Sequence, residues 1–343
     1  MNAALLRALA PSCLACDNPL RAAYSAVVMP KVSVIMNCYN GERTLREAID
    51  SVYSQSFTDW EIVLWDNAST DGTEGIARSY ADGRLRYFRA ESNTTLGEAR
   101  RRAMREARGE WVGFLDCDDW WFPHKLARQL RALDGTAYVL CYAGIREITP
   151  AGERIREIVP RYPSGPMLEE QLLQFDINMV TPLLHRPTLE RHGLEFDEHV
   201  TASEEYNLFV RLAAKGTFCA VPEVLGVWRI SPGSLTDRQM SRWGEERHYT
   251  LAQLERENPG IEARHALAFR EARARGDYYT ARHCMKTGRK DEARRLMERI
   301  GQLDCRYRLL WLGMHVPFFW EAVHGQFLKR KVLPRLFGIT RSS

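Results

Sequence analysis

Three carboxylates follow an apolar segment within four residues of one another. Asp116, Asp118 and Asp119 come directly after the segment 111–115, which has the composition of a buried strand. Carboxylates this close repel one another unless a cation or strong hydrogen-bond donors offset their charge. Their hard oxygen atoms suit Mg²⁺ or Mn²⁺, ions that commonly bridge to a diphosphate. The alternative is an acidic turn in which one Asp caps a helix. We favour the cation site.

The elements that must position these carboxylates alternate between strand and helix. Apolar runs at 32–36, 61–65, 85–89 and 111–115 predict strands, and the periodicity of 44–55, 73–80 and 97–108 predicts helices between them. This alternation with short connections is typical of a parallel sheet flanked by helices. Ligands bind such sheets at the carboxyl ends of the strands. The polar turns after the first, second and fourth strands should therefore converge on one crevice.

Beyond about residue 135 the pattern is mixed. We predict strands at 137–145, 179–185 and 221–230, helices at 167–174 and 204–215, and a strongly helical region from about 238 that forms an appendage rather than a repeat array. The predicted division is a disordered extension at 1–29, a domain at 30–235 with halves 30–135 and 136–235, and a helical region at 236–343. Alternatively, Met29 is the true start, and residues 1–28 are an artefact of start-codon choice.

Composition fits an ordinary globular protein. The 343 residues are 45% hydrophobic and 27% charged, and the net charge of +4 gives no indication of nucleic-acid binding. Cys13 and Cys16 form a lone CxxC, which without a second pair is a weak signal for zinc or redox chemistry. No apolar run reaches the roughly 18 residues of a membrane span. The basic and apolar tail from 327 either lies on an anionic membrane surface or packs back on the protein.

Four stretches together resemble the family 2 glycosyltransferases over roughly residues 31–235. They are Val-Ser-Val-Ile-Met-Asn-Cys-Tyr-Asn at 32–40, Asp-Asn-Ala-Ser-Thr-Asp-Gly-Thr at 66–73, Arg-Gly-Glu at 108–110, and Leu-Asp-Cys-Asp-Asp at 115–119. The resemblance implies the GT-A fold, a mostly parallel sheet flanked by helices in which a nucleotide-binding α/β half merges with an acceptor-binding half. A C-terminal helical region would follow.

The resemblance also implies where a nucleotide sugar binds. Tyr39 would lie against the base, a contact worth roughly 1–3 kcal/mol, unless it is a half-buried loop aromatic. Asn67 stands where the family usually has an acid, and its amide both donates and accepts, which weakens the preference for uridine. The implied nucleotide-sugar-binding residues are Asn37, Tyr39, Asp66, Asn67, Arg100, Asp116, Asp118 and Arg229.

The resemblance assigns the metal and the base as well. Asp118 and Asp119 would hold Mg²⁺ or Mn²⁺, whereas Ser231 replaces a His that often helps bind the metal. Glu205 occupies the position of the catalytic Asp, with one more methylene and about 1 Å more reach. The alternative for Glu205 is a helix N-terminus enriched in acids because of the helix dipole. We favour the catalytic base.

The predicted function is inverting, metal-dependent transfer of a sugar from a nucleotide-diphospho donor, with UDP-sugar as the leading candidate. The acceptor would be a saccharide or a lipid-linked molecule in bacterial cell-surface polysaccharide or lipopolysaccharide assembly. We expect a cytoplasmic protein with peripheral contact to the inner face of the plasma membrane. A nucleotidyltransferase is disfavoured, because a Gly-rich phosphate loop is missing after the first strand. The other alternative is a degenerate member that binds nucleotide sugar or partners without transferring.

Overall fold

The computed structural model describes residues 29–230, 239, 241–316 and 319–324. The first half contains β1 (Val32–Cys38), α1 (Leu45–Tyr53), β2 (Trp60–Asp66), α2 (Thr73–Arg78), β3 (Leu85–Arg89), α3 (Leu96–Arg105) and β4 (Trp111–Phe114). Every residue of β1 is buried, as expected for a central strand covered on both faces. The predicted strands and helices of this half are confirmed to within three residues at each end.

The second half contains β5 (Trp120–Trp121), α4 (Lys125–Leu133), β6 (Leu140–Ile148), β7 (Arg154–Ile158), α5 (Leu168–Leu173), β8 (Leu183–His185), α6 (Arg186–His192), α7 (Glu204–Ala213) and β9 (Phe218–Arg229). The sequence analysis missed β5, α4, β7 and α6. It also began β8 too early, because residues 178–181 form a turn in which Asn178 accepts from the backbone N–H groups of Val180 and Thr181.

The strands form one sheet in the order β3-β2-β1-β4-β8-β6-β9-β5, and β7 pairs with β6. Strands β1 to β4 are parallel, as predicted. The rest of the sheet is mixed, since β6 and β9 are parallel whereas β8, β7 and β5 pair antiparallel with their neighbours. The sheet is therefore parallel across β1 to β4, as the sequence predicts, and mixed in the second half of the domain.

The C-terminal region contains α8 (Trp243–Glu257), α9 (Ile261–Arg264), α10 (Ala266–Lys286), α11 (Lys290–Gly301), α12 (Cys305–Gly313) and α13 (Phe319–His324). Leu251 and Leu254 of α8 and Phe269 of α10 join the same apolar cluster as Phe209 of α7. A separate cluster holds α11 against the second half of α10. The helices that follow residue 242 thus begin inside the core of the preceding domain, and only the later ones form an appendage.

Four sequence interpretations lie outside the described residues: the extension at 1–28, the Cys13–Cys16 pair within it, Ser231, and the basic tail from 327. Within the described part of the chain, none of the helices combines the length and the apolar character needed to cross a bilayer.

Candidate functional site

The turns after β1 and β2 meet at the carboxyl edge of the sheet. Cys38 and Asp66 are paired in register, and the backbone N–H of Asn40 donates to Ser69 Oγ at 2.9 Å. Asn40 and Ala68 have φ angles of 53° and 66°, the left-handed conformation that lets a chain reverse within a short turn. The predicted convergence of these turns is confirmed.

Two of the predicted nucleotide-binding side chains, Tyr39 and Asn37, have a surface or a donor that could contact a ligand. Tyr39 is 53% exposed at the tip of the turn after β1, so about half of its side-chain surface is open to a ligand. Asn37 is buried, and its amide nitrogen has no hydrogen-bond partner among the described residues. A buried donor without an acceptor costs about 1–3 kcal/mol. An acceptor atom of a ligand in the crevice would remove that cost.

Asp66 and Asn67 are already hydrogen-bonded within the protein. Asp66 is fully buried, and its carboxylate accepts from the Tyr87 hydroxyl at 2.6 Å, from Arg89 Nη1 at 3.0 Å and from the Ser69 backbone at 2.7 Å. The Asn67 amide donates to the Thr94 carbonyl at 2.9 Å and accepts from the Thr94 hydroxyl at 3.0 Å. In this conformation both side chains hold neighbouring loops in place.

The acidic loop after β4 carries surplus negative charge. Burial, together with the negative charge of the neighbouring Asp116, raises the pKa of Asp118 to about 6. Asp119 is 3% exposed, and burial followed by repulsion from Asp118 and Asp116 raises its pKa well above the usual range. One Asp119 oxygen accepts from the Arg229 backbone N–H at 2.8 Å. The loop thus holds carboxylates that its surroundings stabilise poorly as anions.

Arg229, at the end of β9, connects the acidic loop to the rest of the site. Its Nε donates to the Asp118 carbonyl at 3.1 Å, and its Nη2 forms an ion pair with Glu47 at 2.8 Å. The guanidinium lies 5.1 Å from the centre of the Trp120 ring. The short strand β5, which includes Trp120, pairs with β9 and so fixes the loop beside Arg229.

Arg100 joins the acidic loop to the start of α7. It is 3% exposed, and its Nη2 contacts both oxygens of Asp116 at 3.0 Å while its Nη1 contacts Glu204 at 3.2 Å. Arg100 and Glu204 are 104 residues apart in the sequence. The sequence analysis expected Arg100 to face a nucleotide and did not identify Glu204 as its partner. Burial lowers the pKa of Arg100, but the charges of Asp116, Glu204 and Glu205 outweigh burial and raise it.

Glu205, the candidate base, is half-buried at the N-terminus of α7. Burial raises its pKa, the positive charge of Arg100 opposes this, and the negative charges of Asp116 and Glu246 add to it. A base is most effective when its pKa approaches the working pH. The surroundings of Glu205 therefore shift its pKa in the direction that favours proton abstraction near neutrality.

The carboxylates of the acidic loop suit a divalent cation, because a nearby positive charge would stabilise the anions that burial destabilises. Among the described residues, His, Cys, Asp and Glu side chains form no group of three or more that could hold a metal by themselves. Mg²⁺ and similar ions commonly take one or two carboxylates and complete their coordination with phosphate oxygens and water. Asp118 and Asp119 fit that smaller contribution.

Comparison with known proteins identifies relatives of this chain. The family model described as "Glycosyl transferase family 2" matches residues 33–184. "Putative glycosyltransferase EpsE" of Bacillus subtilis is 38% identical over 39% of this chain and 50% of its own length. An "Uncharacterized glycosyltransferase RT0329" of Rickettsia typhi is 30% identical over 63% of this chain and 69% of its own length. "Succinoglycan biosynthesis protein ExoO" of Rhizobium meliloti is 27% identical, with 61% and 63% covered. The chain therefore spans about half to two thirds of the length of these three relatives.

Solved structures share the architecture. S. aureus TarS 1–349 in complex with UDP-GlcNAc superposes with a TM-score of 0.64 at 18% identity, covering 87% of this chain and 92% of that one. The mannosyltransferase PcManGT of Pyrobaculum calidifontis, in complex with GDP-Man and Mn²⁺, gives 0.50 at 17% identity with 88% of each chain covered. At these identities the likeness concerns the fold, and the predicted GT-A fold is confirmed.

Proposed function

Since the chain belongs to glycosyl transferase family 2, we propose that it transfers a sugar with inversion from a nucleotide-diphospho donor to an acceptor hydroxyl. The observation that carries this proposal is the buried Arg100 bridge between Asp116 and Glu204. The bridge brings the acidic loop, which suits a diphosphate-bound cation, next to Glu205, which suits a general base. The group that would stabilise the leaving diphosphate and the group that would activate the acceptor then lie in one site.

The donor would lie across the carboxyl edge of the sheet. Its base would stack on the exposed Tyr39. The Asn37 amide nitrogen, which has no hydrogen-bond partner in the part of the chain that the structure describes, would donate to an acceptor atom of the nucleotide. A divalent cation held by Asp118 and Asp119 would offset the charge of the leaving diphosphate. Arg229, fixed beside the Asp118 carbonyl, is the basic side chain that supports this end of the donor.

The chemical step is a single displacement. Glu205 takes the proton from the acceptor hydroxyl while that oxygen attacks the anomeric carbon. The new carbon–oxygen bond forms on the face opposite the bond that breaks, and the nucleoside diphosphate leaves with its electron pair. The configuration at the anomeric carbon is thereby inverted.

The proposal also names the donor, the acceptor and the location of the protein. UDP-sugar is our leading donor, and the donor panel should include UDP-GlcNAc and GDP-mannose, which are bound in the TarS and PcManGT complexes. Similarity to ExoO and to the putative teichuronic acid biosynthesis glycosyltransferase TuaG favours a saccharide or lipid-linked acceptor in polysaccharide assembly.

The proposal includes peripheral contact with the inner face of the plasma membrane, because three apolar side chains ahead of the basic tail are exposed: Leu309, Leu312 and Val316. Deletion of residues 309–343 should abolish co-sedimentation with anionic liposomes.

The test is release of nucleoside diphosphate from UDP-, GDP- and TDP-sugars with Mn²⁺ or Mg²⁺. We expect metal-dependent release from one donor. Glu205→Gln should slow it about 10²–10⁴-fold, the usual contribution of a general base, while nucleotide affinity is retained. Glu198→Gln is the matched control, because Glu198 is an exposed carboxylate on the segment that leads to α7.

The other outcomes separate the alternatives. Nucleotide-sugar binding without diphosphate release, even with candidate acceptors, would favour the binding-only member of the family. The internal hydrogen bonds of Asp66 and Asn67 are the observation that supports this second candidate. Absence of both binding and release would overturn the proposed function.

A further inference from the structure

Helix α8 packs along α7, the helix that begins with Glu204 and Glu205. The Asn207 amide on α7 donates to Thr250 Oγ1 at 3.1 Å and to Gln253 Oε1 at 2.8 Å on α8. Further along, Arg211 Nε contacts both carboxylate oxygens of Glu257 at 3.0 Å. The Asn207 side chain is completely buried. The C-terminal region thus fixes α7 by directed polar contacts as well as by apolar packing.

One residue of α8, Glu246, contacts residues 201–203, the segment that leads into α7. Glu246 is 3% exposed, and its carboxylate accepts from the backbone N–H groups of Thr201 at 2.9 Å and Ala202 at 3.0 Å. It also accepts from the Ser203 hydroxyl at 2.9 Å. Ser203 is the N-cap residue of α7, yet within the described structure its side chain makes no capping hydrogen bond to the helix. Its hydroxyl is directed to Glu246 instead.

This arrangement is costly unless the hydrogen bonds hold it. Taking a carboxylate out of water costs several kcal/mol, which geometry and additional hydrogen bonds must offset. Arg242 is the N-cap residue of α8, and its Nε lies 3.4 Å from Glu246 Oε1, but its side chain is about half exposed. The backbone donors of Thr201 and Ala202 are therefore the main buried partners. They belong to the residues that set the direction in which Glu205 enters the site.

We propose that Glu246 is a positioning residue for sugar transfer: its carboxylate fixes the 201–203 segment and thereby holds Glu205 at the reacting centre. This inference rests on the proposed function, because it gives Glu205 the role of base. Misplacement of a reacting group by about 1 Å can cost roughly 10²-fold in rate. Through Glu246, helix α8 of the C-terminal region is then part of the catalytic apparatus.

The test compares Glu246→Gln with two controls on the same helix. Glu257→Gln weakens the far end of the α7–α8 interface, and Glu245→Gln changes an exposed neighbouring carboxylate. In Glu246→Gln the new amide group faces N–H donors that need an acceptor, so the 201–203 segment shifts. We expect kcat to fall at least about tenfold while the KM for the donor changes less than about twofold. Both controls should keep the wild-type kcat.

The dependence of kcat on pH gives a second measurement, because a general loss of packing would not shift its acid limb. Glu205 faces Arg100 from α3, Asp116 from the acidic loop, its neighbour Glu204 on α7, and Glu246 from α8. Removing the Glu246 charge lowers the pKa of Glu205, so the base stays deprotonated to lower pH. The acid limb of kcat against pH should move to lower pH in Glu246→Gln and stay in place in Glu257→Gln.

The results distinguish failure of this inference from failure of the proposed function. Wild-type turnover with equal kcat values in Glu246→Gln and Glu257→Gln would overturn the positioning role alone. A lower fraction of donor-binding protein, with unchanged kcat per bound site, would also overturn it, because that is a folding effect. A wild-type protein that releases no diphosphate from any donor and acceptor pair would overturn both.

Discussion

A buried aspartate lies at the carboxyl end of β2 and another follows β4, but the two differ in the hydrogen bonds that their carboxylates accept. Asp66, at the end of β2, accepts from a hydroxyl, a guanidinium and a backbone N–H. Asp119, after β4, accepts from one backbone N–H, and two further carboxylates raise its pKa together with burial. A satisfied acid stabilises the turn that contains it. An acid surrounded by like charge is a place where a cation or a diphosphate–cation complex can bind.

The largest expected effect comes from Asp119→Asn. Loss of one electrostatic group at developing charge typically costs about 10²–10³ in kcat, so diphosphate release should fall by that factor. The metal-free variant should nevertheless melt at a higher temperature than wild type, because a destabilised buried anion has been replaced by a neutral group of the same shape. Kinetics with Mn²⁺ and thermal unfolding in chelator would measure the two effects. A lower melting temperature would contradict the contrast with Asp66.

The opposite result is expected for Asp66→Asn. The new amide places N–H donors against a hydroxyl, a guanidinium or a backbone N–H that all donate to Asp66. Hydrogen bonds to charged groups contribute about 1.5–3 kcal/mol each, and the free energy of unfolding should fall by about 2–4 kcal/mol in urea titrations. Glu74→Gln is the control, since Glu74 is an exposed and more distant partner of Arg89. Its effect should stay within about 0.5 kcal/mol.

Tyr39→Ala should change binding without changing stability. The side chain is exposed, so its removal leaves the free energy of unfolding nearly unchanged. Loss of base stacking should weaken nucleoside diphosphate binding by about 1–3 kcal/mol, which calorimetry can measure. Tyr39→Phe retains the ring and should bind like wild type. Equal binding by all three proteins would remove Tyr39 from the site.

The smallest expected effect is a pH dependence of stability that a metal ion cancels. The native-state pKa of Asp118, about 6, is above the ordinary value, so the folded protein binds more protons than the unfolded one between roughly pH 4 and 6. Stability without metal should therefore decrease as the pH rises through that interval. Thermal unfolding in chelator should show this trend, and Asp118→Asn should reduce it. If Mn²⁺ at pH 7.5 gives no stabilisation, the acidic loop is not the metal site.

Local pattern was most informative in the first half of the domain. The strands β1 to β4 were predicted because their apolar runs are continuous, and α1 because Leu45, Ile49 and Val52 share one face. The missed helix α6 had a readable signal, since Pro187 lies in its first turn and Gly193 ends it in the left-handed conformation. The missed β7 is a short, mostly exposed strand with the sequence Arg-Ile-Arg-Glu-Ile, and its pairing with β6 is what makes it a strand.

The sequence by itself determined the acidic loop, because its carboxylates are neighbours in the chain and repel one another in any fold. It also determined the β-α rhythm, since hydrophobic periodicity is local. Only the tertiary structure decided that Arg100 would join Asp116 to Glu204, that Asp66 would be fully hydrogen-bonded, and that Glu246 would reach the 201–203 segment. Those contacts join residues far apart in the chain. They exist because packing of the sheet, α7 and α8 excludes water, so these buried polar groups pair with one another within the protein.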